Sequence, residues 1–374
     1  MYSVSDVTKG GTPNDPVDAR RGLKGRSKRS RGAVVVFLNF CLSVAVITVI
    51  GGAALFYWGK FQFERAGPLT EEKVVMVPRG GGLSSISDSL QSAGVVSNAL
   101  IFQAGVRFSG AASQLKAGEY AFAPGTSMRG VMDKLEAGRS IMHSVTIPEG
   151  WTVAQIYARL DADETLVGNL PPMPGEGTLL PETYTFTRGA SRSDIISQMS
   201  AAQERLVNEI WQGRQDGLPV DTVEEFVTLA SIVERETGVD AERPHVASVF
   251  INRLRQGMRL QSDPTFIYGI WGGAGKPPGE PLRRSHIQSN TPYNTYVING
   301  LPPGPIANPG RAALEAVAHP LDSDDLYFVA DGTGGHAFAR TLADHNRNVA
   351  RYREFMRQQG AAAENAAADA DLVE

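Results

Sequence analysis

The chain of 374 residues is short of several things, and each shortage removes a class of function. It holds one cysteine, Cys41. That excludes a disulfide framework and any cysteine-based zinc site. It contains no H-E-x-x-H of a zinc hydrolase and no G-x-S-x-G nucleophile elbow. Gly272-Gly273-Ala274-Gly275-Lys276 resembles part of a phosphate loop, but Ile270 replaces its first glycine and Pro277 its Ser/Thr. The six histidines (His143, His245, His286, His319, His336, His345) have no metal-ligand spacing; His336 reads as a cleft residue or as a structural hydrogen-bonding histidine. Low net charge, −4, would also argue against a strongly charged partner, but the charge is unevenly distributed. Residues 1–31 carry eight basic and three acidic groups, a head of +5, which leaves a body of −9.

The longest absence is of charge itself. Between Arg31 and Lys60 there is none, and residues 33–58 form an apolar run of 26 whose one strongly polar side chain is Asn39. As a helix this run exceeds the roughly 30 Å hydrocarbon core of a bilayer, and Phe56-Tyr57-Trp58 suits the headgroup region. A buried core helix rarely runs so long without a charge. A cleaved signal peptide needs a shorter apolar run and a small-residue cleavage site, which the residues after Trp58 lack. The expectation is an uncleaved single-pass anchor. Seven Lys/Arg lie in residues 20–31 and two, Lys60 and Arg65, just after the span, so the positive-inside rule puts the N-terminus in the cytoplasm and residues 60–374 outside. The basic tail then contacts membrane lipid. It has no aromatic residue near its basic cluster, so nucleic acid is not expected as a partner.

Beyond the span a weak repeat appears. Val77-Pro78-Arg79-Gly80, Ala123-Pro124-Gly125-Thr126 and Ile147-Pro148-Glu149-Gly150 each follow an apolar or β-branched run and precede apolar residues four apart. Strand, turn and short helix, three times, describe a compact α+β module, although three ordinary strand-to-helix connections would read alike. Further on, helices are expected over 191–211, from Asp221 with Glu224 as an acidic capping box, over 244–255, over 312–318 and over 342–358, with a strand at 326–330. Residues 271–281 and 301–310 read as Gly/Pro loops, and 359–374 as a disordered, Ala-rich acidic tail.

The helix from Asp221 ends Glu234-Arg235-Glu236-Thr237-Gly238. Two positions apart on a helix, the two acids diverge by about 200° and cannot form one dyad. Each borders the apolar stripe, so periodicity does not choose between them, and a solvated helix-end acid is the plain alternative for either.

Four blocks carry a resemblance: LASIVERETG (229–238), VASVFINRLRQGMRLQSDPT (246–265), TPYNTYVINGLPPGPIANPG (291–310) and LYFVADGTGGHAF (326–338). In this order they resemble the endolytic murein transglycosylase, or YceG-like, family over about residues 74–355. The resemblance implies an α+β chain with a basic cytoplasmic tail (1–32), transmembrane helix (33–58), linker (59–73), LysM-like glycan-binding module (74–160), mixed α/β catalytic domain (161–358) and tail (359–374). It implies a lyase of the cell inner membrane that cuts nascent peptidoglycan on the periplasmic side, needs no metal or organic cofactor, and works beside peptidoglycan synthases. Glu236 matches the catalytic acid.

One carboxyl group fits such chemistry. Hydrolytic glycosidases generally use two acids. A lytic enzyme uses no water, so one group can act as acid and then as base if apolar surroundings lift its pKa toward the working pH. Gln261, Asp263, Tyr293, Asn294, Thr295 and Tyr296 offer donors, acceptors and rings for N-acetyl sugars, with Asn294 the preferred stabiliser. The bland alternative is that these residues brace loops. Asp263 as a general base would make the enzyme a hydrolase. A non-catalytic peptidoglycan-binding scaffold that recruits synthases is the alternative for the whole chain.

Overall fold

The structure, a computed structural model, describes residues 28–78 and 80–371, with side chains over 32–78 and 80–359. Most of the basic head and Arg79 of the first repeat lie outside the described residues. The described chain is mixed α/β, twelve α-helices with eight short strands paired as four two-stranded sheets.

Helix α1 (Lys28–Glu64) carries the apolar run, and its large apolar side chains are exposed from Val34 to Phe61. No described part of the protein buries them, and the helix from Gly32 to Glu64 is long and apolar enough to cross a membrane. The helix continues past Trp58, where a linker was expected, and its last turn is anchored: Phe63 is buried and packs beside Phe102 at 6.3 Å between ring centroids.

The first folded unit follows. Strand β1 (Lys73–Val77) leads into α2 (Leu83–Ser92) and α3 (Ala99–Phe108), and β2 (Gly118–Phe122) into α4 (Met128–Ala137). The strands pair antiparallel, Lys73 opposite Phe122 and Val77 opposite Gly118. Val77, Leu90, Phe102, Tyr120, Phe122 and Leu135 meet in one core.

The third copy of the repeat has the expected form but a different partner. Strand β3 (Met142–Thr146) precedes α5 (Val153–Asp161), capped by a Thr152/Gln155 box. After β4 (Leu166–Val167), β3 pairs antiparallel with β5 (Thr183–Thr187), and β4 pairs with β6 (Ala190–Ser191). Val145, Ile156 and Leu160 bury against Phe186, Ile195 and Met199, the last two from α6 (Arg192–Gln212). Two copies therefore share one core, and the third packs with the chain that follows it. Sequence spacing repeats, but hydrophobic partners decide which unit a copy joins.

The remaining elements surround α7 (Val223–Glu236): α8 (Arg243–Arg255), α9 (Asp263–Trp271), the one-turn α10 (Arg284–Ile287), α11 (Arg311–Ala318), the hairpin β7–β8 (Tyr327–Ala330 and His336–Ala339), and α12 (Leu342–Asp371). Every residue of α7 from Phe226 to Glu234 is buried. It is a central helix, with α6, α8 and α11 packed around it and a stripe on more than one side. Helix α9 was not expected: Pro264 sits in its first turn, where proline's missing N–H costs nothing. Strand β8 was not expected either. The stretch read as a disordered tail continues α12 as far as Asp371, in keeping with alanine's high helix propensity, and residues 372–374 lie outside the described residues.

Candidate active site

Helix α7 starts one residue later than the Asp221 reading. Thr222 is its N-cap: Thr222 Oγ1 accepts from the Glu225 amide at 3.1 Å, and Glu225 Oε2 accepts from the Thr222 amide at 3.3 Å. A true S/T-x-x-E capping box fixes the start of the helix, and fourteen residues later the helix delivers Glu236 as its final residue.

The structure separates the two acids that periodicity left equal. Glu234 is buried, and its carboxylate accepts from Arg243 Nη2 at 3.2 Å and from the Gly310 amide at 3.0 Å. Arg243 also pairs with Asp240 and, at 3.5 Å, with Glu149. Burial pushes the Glu234 carboxyl up, while the Gly310 amide and Arg243 pull it down. Each oxygen has a partner, so Glu234 ties α7 to α8 and to the loop before α11.

Among the described residues Glu236 has no such ion pair. Its Oε1 accepts a short hydrogen bond from Ser262 Oγ. Its surface is only partly covered, yet the surrounding protein is dense enough for desolvation to dominate, and the pKa is pushed up to about 7. The Ser262 hydrogen bond and the charges of His336 and Arg253 oppose that rise, and the Asp263 carboxylate adds to it. The residue also stands at the negative end of α7, which further disfavours a carboxylate. A glutamate half-protonated near neutral pH is a group that can give and take a proton within one cycle.

Ser262 was not singled out from the sequence. It is the N-cap residue of α9, but its side chain makes no capping bond and turns to Glu236 instead. A loop holds it there. The Ser262 amide donates to Thr295 Oγ1 at 3.0 Å, Thr295 Oγ1 lies 2.8 Å from Thr265 Oγ1, and the Gln261 amide donates to the Thr295 carbonyl at 3.2 Å. Among the described residues Gln261 is the non-glycine residue with a positive φ, +53°. A left-handed residue of this kind costs about 1 kcal/mol or more and persists where the surroundings enforce it. Its strain sets the turn that aims Ser262. A serine ahead of Asp-Pro opens a turn as readily as a helix, and that its hydroxyl serves another residue is not legible in the sequence.

The predicted sugar-binding residues divide. Asp263 lies exposed in the first turn of α9, and its Oδ1 accepts from Tyr296 Oη at 2.6 Å, so these two sit together beside Glu236. The exposed Gln261 side chain is next to them. Thr295 is fully buried and braces the Ser262 loop. Asn294 is fully buried too, and both amide hydrogens are given to backbone carbonyls, of Ile287 at 2.9 Å and Ser289 at 2.7 Å, while its Oδ1 accepts from the Tyr296 amide at 3.0 Å. Its side chain is committed to the loop that presents Tyr296, which leaves no free donor for a sugar. Tyr293 stands apart from Glu236, edge-on to Tyr268 with ring centroids 4.9 Å apart.

Tyr293 and Tyr268 line a cavity of about 950 Å³, which lies toward the N-terminal end of α7 beside Val223 and Val227. Glu236 does not line it. Twelve residues of helix, roughly 18 Å, separate Glu224 at its edge from Glu236.

Around Glu236 the remaining charges are held firmly. Arg253 is buried and donates through Nε to the Leu326 carbonyl at 2.6 Å and through Nη1 to the Leu260 carbonyl at 2.6 Å. His336, on β8, has Nδ1 2.7 Å from Glu242 Oε2, and its amide donates to Glu242 Oε1 at 2.8 Å. His336 is therefore the structural hydrogen-bonding histidine, one of the two readings its sequence offered, and its charge also acts on Glu236.

The YceG-like family profile matches residues 75–351. A protein of Bacillus subtilis named endolytic murein transglycosylase is 33% identical over 338 residues, which cover 81% of this chain and 91% of that one. A protein of the same name from Streptococcus pneumoniae is 30% identical over 324 residues, 74% of this chain but 58% of its own length. The crystal structure of a putative yceG-like protein, lmo1499, from Listeria monocytogenes is 32% identical, with a TM-score of 0.46, and covers 74% of this chain and 99% of that one.

Proposed function

This chain belongs to the YceG-like family, and from that premise we propose that it is a membrane-anchored lytic transglycosylase that cuts inside nascent peptidoglycan strands. The observation that carries the reading is Glu236, a carboxyl group without an ion-pair partner among the described residues, at the end of a buried helix, hydrogen-bonded by Ser262 and with its pKa pushed up to about 7.

The bond cut is the one between N-acetylmuramic acid and N-acetylglucosamine. Protonated Glu236 gives its proton to the glycosidic oxygen as the bond from muramic C1 breaks. The resulting carboxylate takes the proton of the muramic C6 hydroxyl, and the C6 oxygen closes on C1 to form the 1,6-anhydro ring. The proton count returns to its start and no water is consumed. The Ser262 hydroxyl stabilises the carboxylate between the two transfers. Tyr296, Asp263 and Gln261 form the nearest wall for the sugars, and their polar tips suit the acetamido and hydroxyl groups there.

Helix α1 is the anchor, with the N-terminus in the cytoplasm and the catalytic elements beyond the cell inner membrane. The β1–α2 and β2–α4 repeats form the LysM-like element that holds glycan. Peptidoglycan synthases, which make the strand, are the fitting partners. The test is the chemistry of the ends. Purified protein on polymeric glycan should release fragments with 1,6-anhydro ends by mass spectrometry, whereas reducing ends would make Asp263 a general base and the enzyme a hydrolase.

A further inference from the structure

Helix α3 is apolar on two faces. Ala99, Phe102 and Val106 point into the core of the first unit, while Leu100 and Phe108 are 74% and 79% exposed, with Ala104 between them at four-residue spacing. Such a helix has one face more than its own domain can use.

What lies beside that face identifies its environment. Helix α3 packs along the last turns of α1: a side chain at Gly105 would collide with the Phe63 ring, and Phe56 and Phe108 have ring centroids 5.2 Å apart. A groove of about 540 Å³ runs between the two helices, lined by Leu55, Phe56, Trp58, Ile101 and Phe108. The apolar run of 26 residues ends only at Trp58, so Phe56 and Trp58 stand at the boundary where the bilayer stops and Phe108 stands level with them. Cations ring the same place: Lys60 follows the span on α1, Arg107 is exposed on α3, and Arg129 lies at the groove's edge, 3.5 Å from Glu64.

We propose that α3 lies in the outer face of the bilayer that α1 crosses, with Leu100 and Phe108 among the lipid tails and an acyl chain of a phospholipid in the α1–α3 groove. The cations around the groove then face the headgroup phosphates, as in other interfacial helices that carry basic residues at their polar edge. The first unit is thereby held against the membrane surface by two elements and cannot swing freely on one. This rests on the reading of α1 as a membrane anchor, and the test separates the two.

The full chain, labelled with a nitrobenzoxadiazole (NBD) fluorophore on a single cysteine, is placed in phospholipid vesicles whose acyl chains carry a nitroxide quencher. Native Cys41 reports on α1. A Cys41→Ser, Phe108→Cys protein reports on α3, and a Cys41→Ser, Arg284→Cys protein, labelled at an exposed position in the catalytic part, serves as the water-facing reference. The proposal expects severalfold loss of emission at positions 41 and 108 and little at 284. Loss at 41 with none at 108 overturns the α3 assignment and leaves the anchor standing. No loss at either overturns both.

Discussion

The hydroxyl of Ser262 donates to the carboxylate of Glu236, although Ser262 holds the N-cap position of α9 and would ordinarily bond a backbone amide. The helix start gives up a capping interaction worth about 1 kcal/mol in typical cases, and the acid gains a partner that favours its charged form. The proton affinity of Glu236 is thus the result of a contest between burial, which raises it, and one hydroxyl placed against it.

That contest can be shifted in both directions. Ser262→Ala removes a bond that stabilises the carboxylate, so the pKa of Glu236 rises above about 7 and the loss of activity at alkaline pH moves to higher pH. Asp263→Asn removes a like charge that disfavours the carboxylate, so the same limb moves to lower pH. Profiles of kcat/KM against pH for the two variants should bracket the wild type. Shifts in one common direction would contradict the account of the site.

The same burial has a consequence for folding. The carboxyl is held at about 7 in the folded chain against an ordinary value of 4.5. The folded form binds the proton more tightly, so this contribution is complete below pH 4.5 and is lost as pH rises through about 7. The loss is on the order of 3 kcal/mol. Glu236→Gln should therefore raise the Tm at pH 8 and change it little at pH 4.5, as read by thermal denaturation. An equal shift at both pH values would exclude a raised pKa as the cause.

Glu234 should behave in the opposite manner. Glu234→Ala leaves the buried Arg243 guanidinium without its inner carboxylate and the Gly310 amide without an acceptor. Removing one member of a buried pair costs about 3–5 kcal/mol. The expected outcome is a large drop in Tm, with the pH profile of the protein that remains folded unchanged. A shifted pH profile with an unchanged Tm would reassign the acid.

Much of this was written in local sequence, and the rest was not for identifiable reasons. The span around Cys41, the repeat's strand–turn–helix form and the extents of α6, α8 and α11 follow from charge, turn residues and periodicity within a few neighbours. Periodicity could not rank Glu234 above or below Glu236, because the partners that separate them, Arg243, Gly310 and Ser262, come from three other segments. Asn294 reads in the sequence as the preferred stabiliser of a sugar; its burial, and the commitment of its amide hydrogens to the carbonyls of Ile287 and Ser289, are set by the folded loop and not by residue type. Helix α9 is not legible in Ser262-Asp263-Pro264 alone, because serine, aspartate and proline open a turn as readily as a helix.

The central claim is that one carboxyl group, Glu236, carries both proton transfers. The direct measurement is the release of anhydro-ended fragments from polymeric peptidoglycan by purified Glu236→Gln protein, quantified by mass spectrometry beside the wild type. The glutamine can still accept the Ser262 hydrogen bond but has no proton to give at neutral pH. Loss of release by about 10³-fold or more is expected for removing a group that serves as both acid and base. Release at the wild-type rate would contradict the account.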